Sequence, residues 1–101
     1  MSADNGIYVL QTCKAVSSGD IKYEYRIAYA MAIDNFDYYE KTSTEKLKKY
    51  MVDIWGNSKV YGNRHDALQA AHELADGYEI LEYGVRVIKT NYIFPEKVST
   101  E

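Results

Sequence analysis

The sequence predicts an α+β domain in which an antiparallel sheet, built from a long N-terminal hairpin and a C-terminal strand, carries two helices on one face in the order ββα(β)αβ. Three observations predict it. Residues 21–33 alternate, with Ile21, Tyr23, Tyr25, Ile27, Tyr29, Met31 and Ile33 on one side and Lys22, Glu24, Arg26, Ala28, Ala30 and Ala32 on the other. A period of two belongs to a strand with one buried face. Two stretches, 43–55 and 64–76, carry apolar residues at helical spacing between capping and stop signals. Finally, 101 residues with 47% apolar and 27% charged composition suit one globular domain, residues 1–101, with 96–101 as a loose tail.

The elements follow in order. Residues 7–13, IYVLQTC, form the first strand, and its opening is apolar on both faces, as in a central or covered strand. Ser17-Ser18-Gly19-Asp20 turns the chain into the long second strand, which makes the pair an antiparallel hairpin. Its alanines leave shallow space where another element packs closely. DNFDYYE at 34–40 is a loop mixing carboxylates with aromatics. Thr42 and Glu45 then match a capping box, Leu47, Tyr50, Met51 and Ile54 form an apolar stripe, and Gly56 stops the first helix. Lys46, Lys48 and Lys49 face solvent. Lys59-Val60-Tyr61 reads as a short strand. Asn63 and Asp66 start a second helix, whose stripe is Ala67, Leu68, Ala71, Leu74 and Ala75 and whose stop is Gly77. In 78–88, Leu81, Tyr83, Val85 and Val87 alternate with Glu82, Gly84 and Arg86 as a final half-buried strand. Leu47, Ile54 and Leu74 are expected in the core.

Composition restricts the function. A net charge of −3 argues against a non-specific nucleic-acid binder, whose affinity comes from neutralising phosphates. No apolar run approaches the length of a membrane span. The polar start MSADNG does not read as a secretion leader, and the single Cys13 fits a reducing compartment. Tyr is abundant, at 11 residues against 2 Phe and 1 Trp, and its ring with a polar tip serves both half-buried strands and binding faces.

No residue set carries recognisable chemistry. His65 and His72 stand about two turns apart on one helix, but zinc needs three or four ligands and no HExxH or CxxC exists. Cys13 has no identifiable base and reads as an inert thiol. Asp34, Asp37 and Glu40 do not match a calcium loop. As a protein-binding segment, Asp34, Phe36, Asp37, Tyr38 and Tyr39 are more credible, because aromatics enrich interface cores. Phosphate-binding glycine loops are absent. Arg26 and Arg86 lie on polar strand faces, where they would hold an anion beside a ring such as Tyr29 if their strands were neighbours, and would be ordinary surface charges if not. No catalytic residue, metal or cofactor is expected.

DNGIY at 4–8, AIDN at 32–35, KVY at 59–61, LEYG at 81–84 and the Ala71-His72 pair give the chain a resemblance to a group of small accessory proteins of tailed bacteriophages that begin with a DNGIY strand. The resemblance spans 4–95, and this chain departs from it in a longer, more charged stretch at 14–25. It implies a viral protein in the host cell cytoplasm that counters host immunity without catalysis, by blocking a defence protein or sequestering its nucleotide signal. A sequestering protein would use Arg26 and Arg86 for phosphate and Tyr29 for base stacking, in a pocket formed between subunits of a homo-oligomer. A blocking protein would use the acid and tyrosine surface at 34–40. The alternative is an accessory protein of phage DNA metabolism that binds single strands through aromatics. A small hydrolase or nuclease is a third class, with no residue cluster behind it.

Overall fold

A strand that is apolar at consecutive positions must be covered on both sides, and β1 (Asn5–Ala15) is such a strand. In the computed structural model, which describes residues 5–15, 19, 21–31, 33 and 36–94, Ile7, Tyr8, Val9 and Leu10 are all buried. β1 is the centre of a three-stranded sheet. On one side it pairs antiparallel with β2 (Ile21–Met31), from Asn5↔Met31 to Ala15↔Ile21. On the other it pairs parallel with β3 (Val85–Lys89), from Ile7↔Val85 to Gln11↔Lys89. The sheet is therefore mixed, not antiparallel throughout.

The described residues also form three helices, α1 (Phe36–Lys41), α2 (Thr44–Trp55) and α3 (Arg64–Ala75). Successive strand residues point to opposite faces, and the core divides by that alternation. Ile7, Val9 and Tyr25 pack with Ala67 and Ala71 of α3. Tyr8 and Leu10 pack with Phe36, Met51 and Trp55 of α1 and α2, where Ala28 and Ala30 give the close approach that their size predicts. The helices thus lie on both faces, and the expectation of one covered face is corrected. The reason is β1 itself: one helical layer leaves half of its apolar side chains in water.

The chain must pass from the α2 face to the α3 face around the outer edge of β2. Tyr25 and Tyr61 exchange backbone hydrogen bonds of 2.9 and 2.8 Å, and Ile27 N–H donates to Ser58 Oγ at 2.9 Å. A segment rounding an edge cannot also run along it, so Lys59-Val60-Tyr61 makes a single bridge and no strand. With that edge occupied, β3 pairs with β1. α3 returns the chain to the end where β1 begins, so β3 starts beside Ile7 and runs parallel to it.

Local signals explain the helix ends. Ser43, not Thr42, caps α2 by accepting from Lys46 N–H at 3.3 Å. Thr42 instead donates to the Tyr39 carbonyl at 2.9 Å and closes α1. Residues read as a loop form that short helix because its rings dock on α2, with Tyr39 stacked on Tyr50 at 4.1 Å. Asn63 caps α3 as expected, accepting from Asp66 N–H at 2.8 Å.

α3 packs on the sheet through the buried Ala67 and Ala71, with Leu68 and Ala75 partly buried beside them, and Leu74 is 42% exposed. Leu74→Ala should therefore cost less than about 1 kcal/mol, measured by urea unfolding, and a core-sized loss would show that α3 is rotated from this position. Leu47 and Ile54 are half-buried at the margin of the α2 cluster. Ala32, Asp34 and the tail from residue 95 lie outside the described residues.

Candidate functional site

α3 has 12 residues and spans about 18 Å at 1.5 Å per residue. β2 has 11 residues and spans about 36 Å at 3.3 Å per residue. The helix is too short to cover the strand, so the α3 face of β2 is buried only in the middle. At the end beside Asn5, Tyr29 and Met31 remain exposed.

The chain beyond α3 builds on that end. Tyr78 stacks flat on Tyr29, with ring centroids 4.5 Å apart and planes 2° from parallel. Ile80 follows at 64% exposure, and Met31, paired with Asn5 across the sheet, is 60% exposed. Asn5 holds the arrangement from beneath. It is buried, its Nδ2 donates to Tyr29 Oη and to the Ile80 carbonyl, each at 3.0 Å, and its Oδ1 accepts from Glu82 N–H at 3.0 Å. Its carbonyl accepts from Tyr83 N–H at 2.9 Å. Alternation predicts a strand from residue 78, but Asn5 takes up these backbone groups and the strand begins only at Val85. Gly84, at φ 62°, supplies the left-handed turn that redirects the chain into β3. The result is a platform in which Tyr29, Tyr78 and Ile80 are tied together through Asn5, with Met31 paired to Asn5 across the sheet, and the exposed acids Asp76 and Glu79 flank Tyr78 in sequence.

The three residues expected to bind an anion are not brought together. Arg26 is only 9% exposed. Its guanidinium lies 3.9 Å from the centroid of the Phe94 ring, donates to Thr12 Oγ1 at 3.4 Å and stands 3.8 Å from Glu24. Burial lowers the guanidinium pKa, with Glu24 and then Tyr92 opposing that shift, and burial raises the Tyr92 phenol. Arg26 thus holds the Phe94 ring onto the sheet. Tyr29 points from the opposite face of β2. Arg86 lies two strands away, because β1 separates β2 from β3: Arg26 aligns with Leu10 and Arg86 with Tyr8.

The segment expected to bind a protein is also divided. Phe36 is a core residue and Tyr39 packs on Tyr50, while Asp37 and Tyr38 are exposed. Asp34 lies outside the described residues. What the fold does join is Arg86 with Phe36 and Asp37. They line a cleft of about 540 Å³ between α1 and β3, together with Tyr8, Ile33 and Lys89. Two hydrogen bonds shape it. Ile33 N–H donates to Tyr8 Oη at 3.2 Å, and Thr90 Oγ1 donates to Glu40 Oε1 at 2.9 Å, which ties α1 to the end of β3.

His65 and His72 are exposed on α3, and Cys13 is a half-buried free thiol. Among the described residues, no three His, Cys, Asp or Glu side chains gather as a metal site, and no helix is long and apolar enough to cross a membrane. Comparison of the chain with protein-family models, curated proteins and solved structures finds no match.

Proposed function

We propose that this chain is a non-catalytic accessory protein that acts by binding a partner protein and blocking it, and that the partner belongs to a host defence system, the setting implied by the phage resemblance. The observation that carries the binding reading is the Tyr29–Tyr78 platform. An exposed apolar loop is costly to order, yet a buried asparagine holds this one in place. Exposed aromatics whose positions are fixed before binding are what interface hot spots are made of. The exposed Asp76 and Glu79 that flank Tyr78 in sequence favour a partner with basic groups.

The sequestering mechanism has less support, because its arginines and Tyr29 are dispersed over two faces and two edge strands. Single-strand binding has less still, since a net charge of −3 and the acids flanking Tyr78 repel phosphate. Asp37 and Tyr38 remain a second surface for the same activity, at the mouth of the α1–β3 cleft.

The test is co-purification of the tagged protein with its host target, followed by calorimetry of the purified pair. Ile80→Asp should weaken the complex by about 2 kcal/mol or more, as the loss of a hot-spot residue does, while thermal melting stays unchanged because Ile80 is exposed. Full affinity in that variant, or a nucleotide in place of a protein as the retained partner, would overturn the reading.

A further inference from the structure

β3 is an edge strand. Ile7 N–H donates to the Gly84 carbonyl at 2.9 Å, and Thr90 N–H donates to the Gln11 carbonyl at 3.1 Å. Along a parallel pair that pattern assigns the even-numbered residues between them to the bonds with β1. Val85, Val87 and Lys89 therefore turn their N–H and C=O groups outward, and among the described residues no strand lies on that side. Beside this edge opens the α1–β3 cleft, with Tyr8, Ile33, Phe36 and Ile88 as apolar lining and Arg86, Lys89 and Asp37 as its charged groups.

We infer that the β3 edge and the adjoining cleft form a docking site for an extended, acidic segment of a partner protein, which adds to the sheet as a fourth strand. Main-chain groups repeating every second residue are complementary to another extended backbone. A strand added there directs alternate side chains toward the α1 face, where the cleft receives apolar ones. The rim sets the charge: Arg86 and Lys89 outnumber Asp37, so acidic residues flanking the apolar ones are preferred. The same charges disfavour a second copy of this chain. Antiparallel self-pairing about Val87 would gather both copies of Arg86 and Lys89 along one seam, and such cations are a common guard against edge-to-edge association. The site shares no residue with the Tyr29–Tyr78 platform and stands independently of the reading above.

The test uses a fluorescein-labelled peptide, Glu-Glu-Val-Thr-Val-Thr-Val-Glu-Glu, titrated with the full chain and followed by anisotropy and by amide NMR shifts. Saturable binding is expected, with the amides of Val85, Val87 and Lys89 shifting most. Val87→Pro should abolish it. The Val87 N–H is outside the ladder, so proline removes no native hydrogen bond, and a thermal melt checks that the fold is kept. The double variant Arg86→Glu, Lys89→Glu should weaken binding by about tenfold or more. A probe N-methylated at alternate residues should not bind wild-type protein, and this result does not depend on any variant folding. Ile80→Asp should bind the probe normally, which keeps this outcome separate from that of the platform. Absence of saturable binding, equal binding of the N-methylated probe, or equal binding of a probe with Lys in place of Glu would each overturn the proposal.

Discussion

Replacing Trp55 by Ala is expected to lower the unfolding free energy by about 3–5 kcal/mol, in the range for a fully buried large ring. Trp55 is 0% exposed at the last position of α2 and is the largest of the fully buried side chains. Around it lie Tyr8, Leu10, Phe36 and Met51, so the ring fills the junction of helix and sheet. Its Nε1 donates to the Tyr8 carbonyl at 3.2 Å, which fixes where along β1 the helix sits. Alanine would lose the buried area, leave a cavity and remove that hydrogen bond. Urea unfolding followed by far-ultraviolet circular dichroism measures the loss. Trp55→Phe separates the contributions, since it keeps most of the ring and loses the donor, at an expected cost of about 1–2 kcal/mol. A loss below 1 kcal/mol for Trp55→Ala would show that α2 does not seat on β1 in this way.

Asn5→Ala is expected to destabilise the fold by about 2–3 kcal/mol, because it leaves buried polar partners unmatched. The side chain serves the Ile80 carbonyl, the Glu82 N–H and the Tyr29 hydroxyl together. Its removal should free residues 78–83 locally before the whole domain unfolds. The discriminating measurement is hydrogen exchange. The Glu82 amide, which donates to the Asn5 side chain, should lose protection. The Tyr83 amide donates to the Asn5 backbone carbonyl, which survives the substitution, and should lose less. Equal protection of Glu82 in wild type and variant would mean that the loop is held by other contacts and that Asn5 does not organise the platform.

How much was legible in the sequence varies by element. The alternation over residues 21–33 located β2 to within two residues of its end, and Asn63 located the start of α3, because both signals belong to neighbouring residues. The burial of both faces of β1 was also legible in IYVL, and it already implied a helical layer on each side. The expectation of a single covered face overlooked that implication. Phe36 and Tyr39 read as exposed aromatics because Tyr50, the ring near both of them, is distant in sequence. Tyr78 and Ile80 read as strand because nothing local shows that Asn5, more than seventy positions away, takes up the backbone around them.

By itself the sequence determined that this is an α+β domain with a hydrophobic central strand, an alternating neighbour and two capped amphipathic helices. Those properties follow from periodicity and capping, which act within a few residues. Only the tertiary structure decided that β3 joins β1 in parallel, that the helices lie on opposite faces, that Arg26 is a buried clamp under Phe94, and that Tyr29 meets Tyr78. Each of these depends on which segments share an edge or a face. The chain's path around β2 and under the start of β1 settles that, through contacts between residues far apart in sequence whose local patterns are compatible with several arrangements.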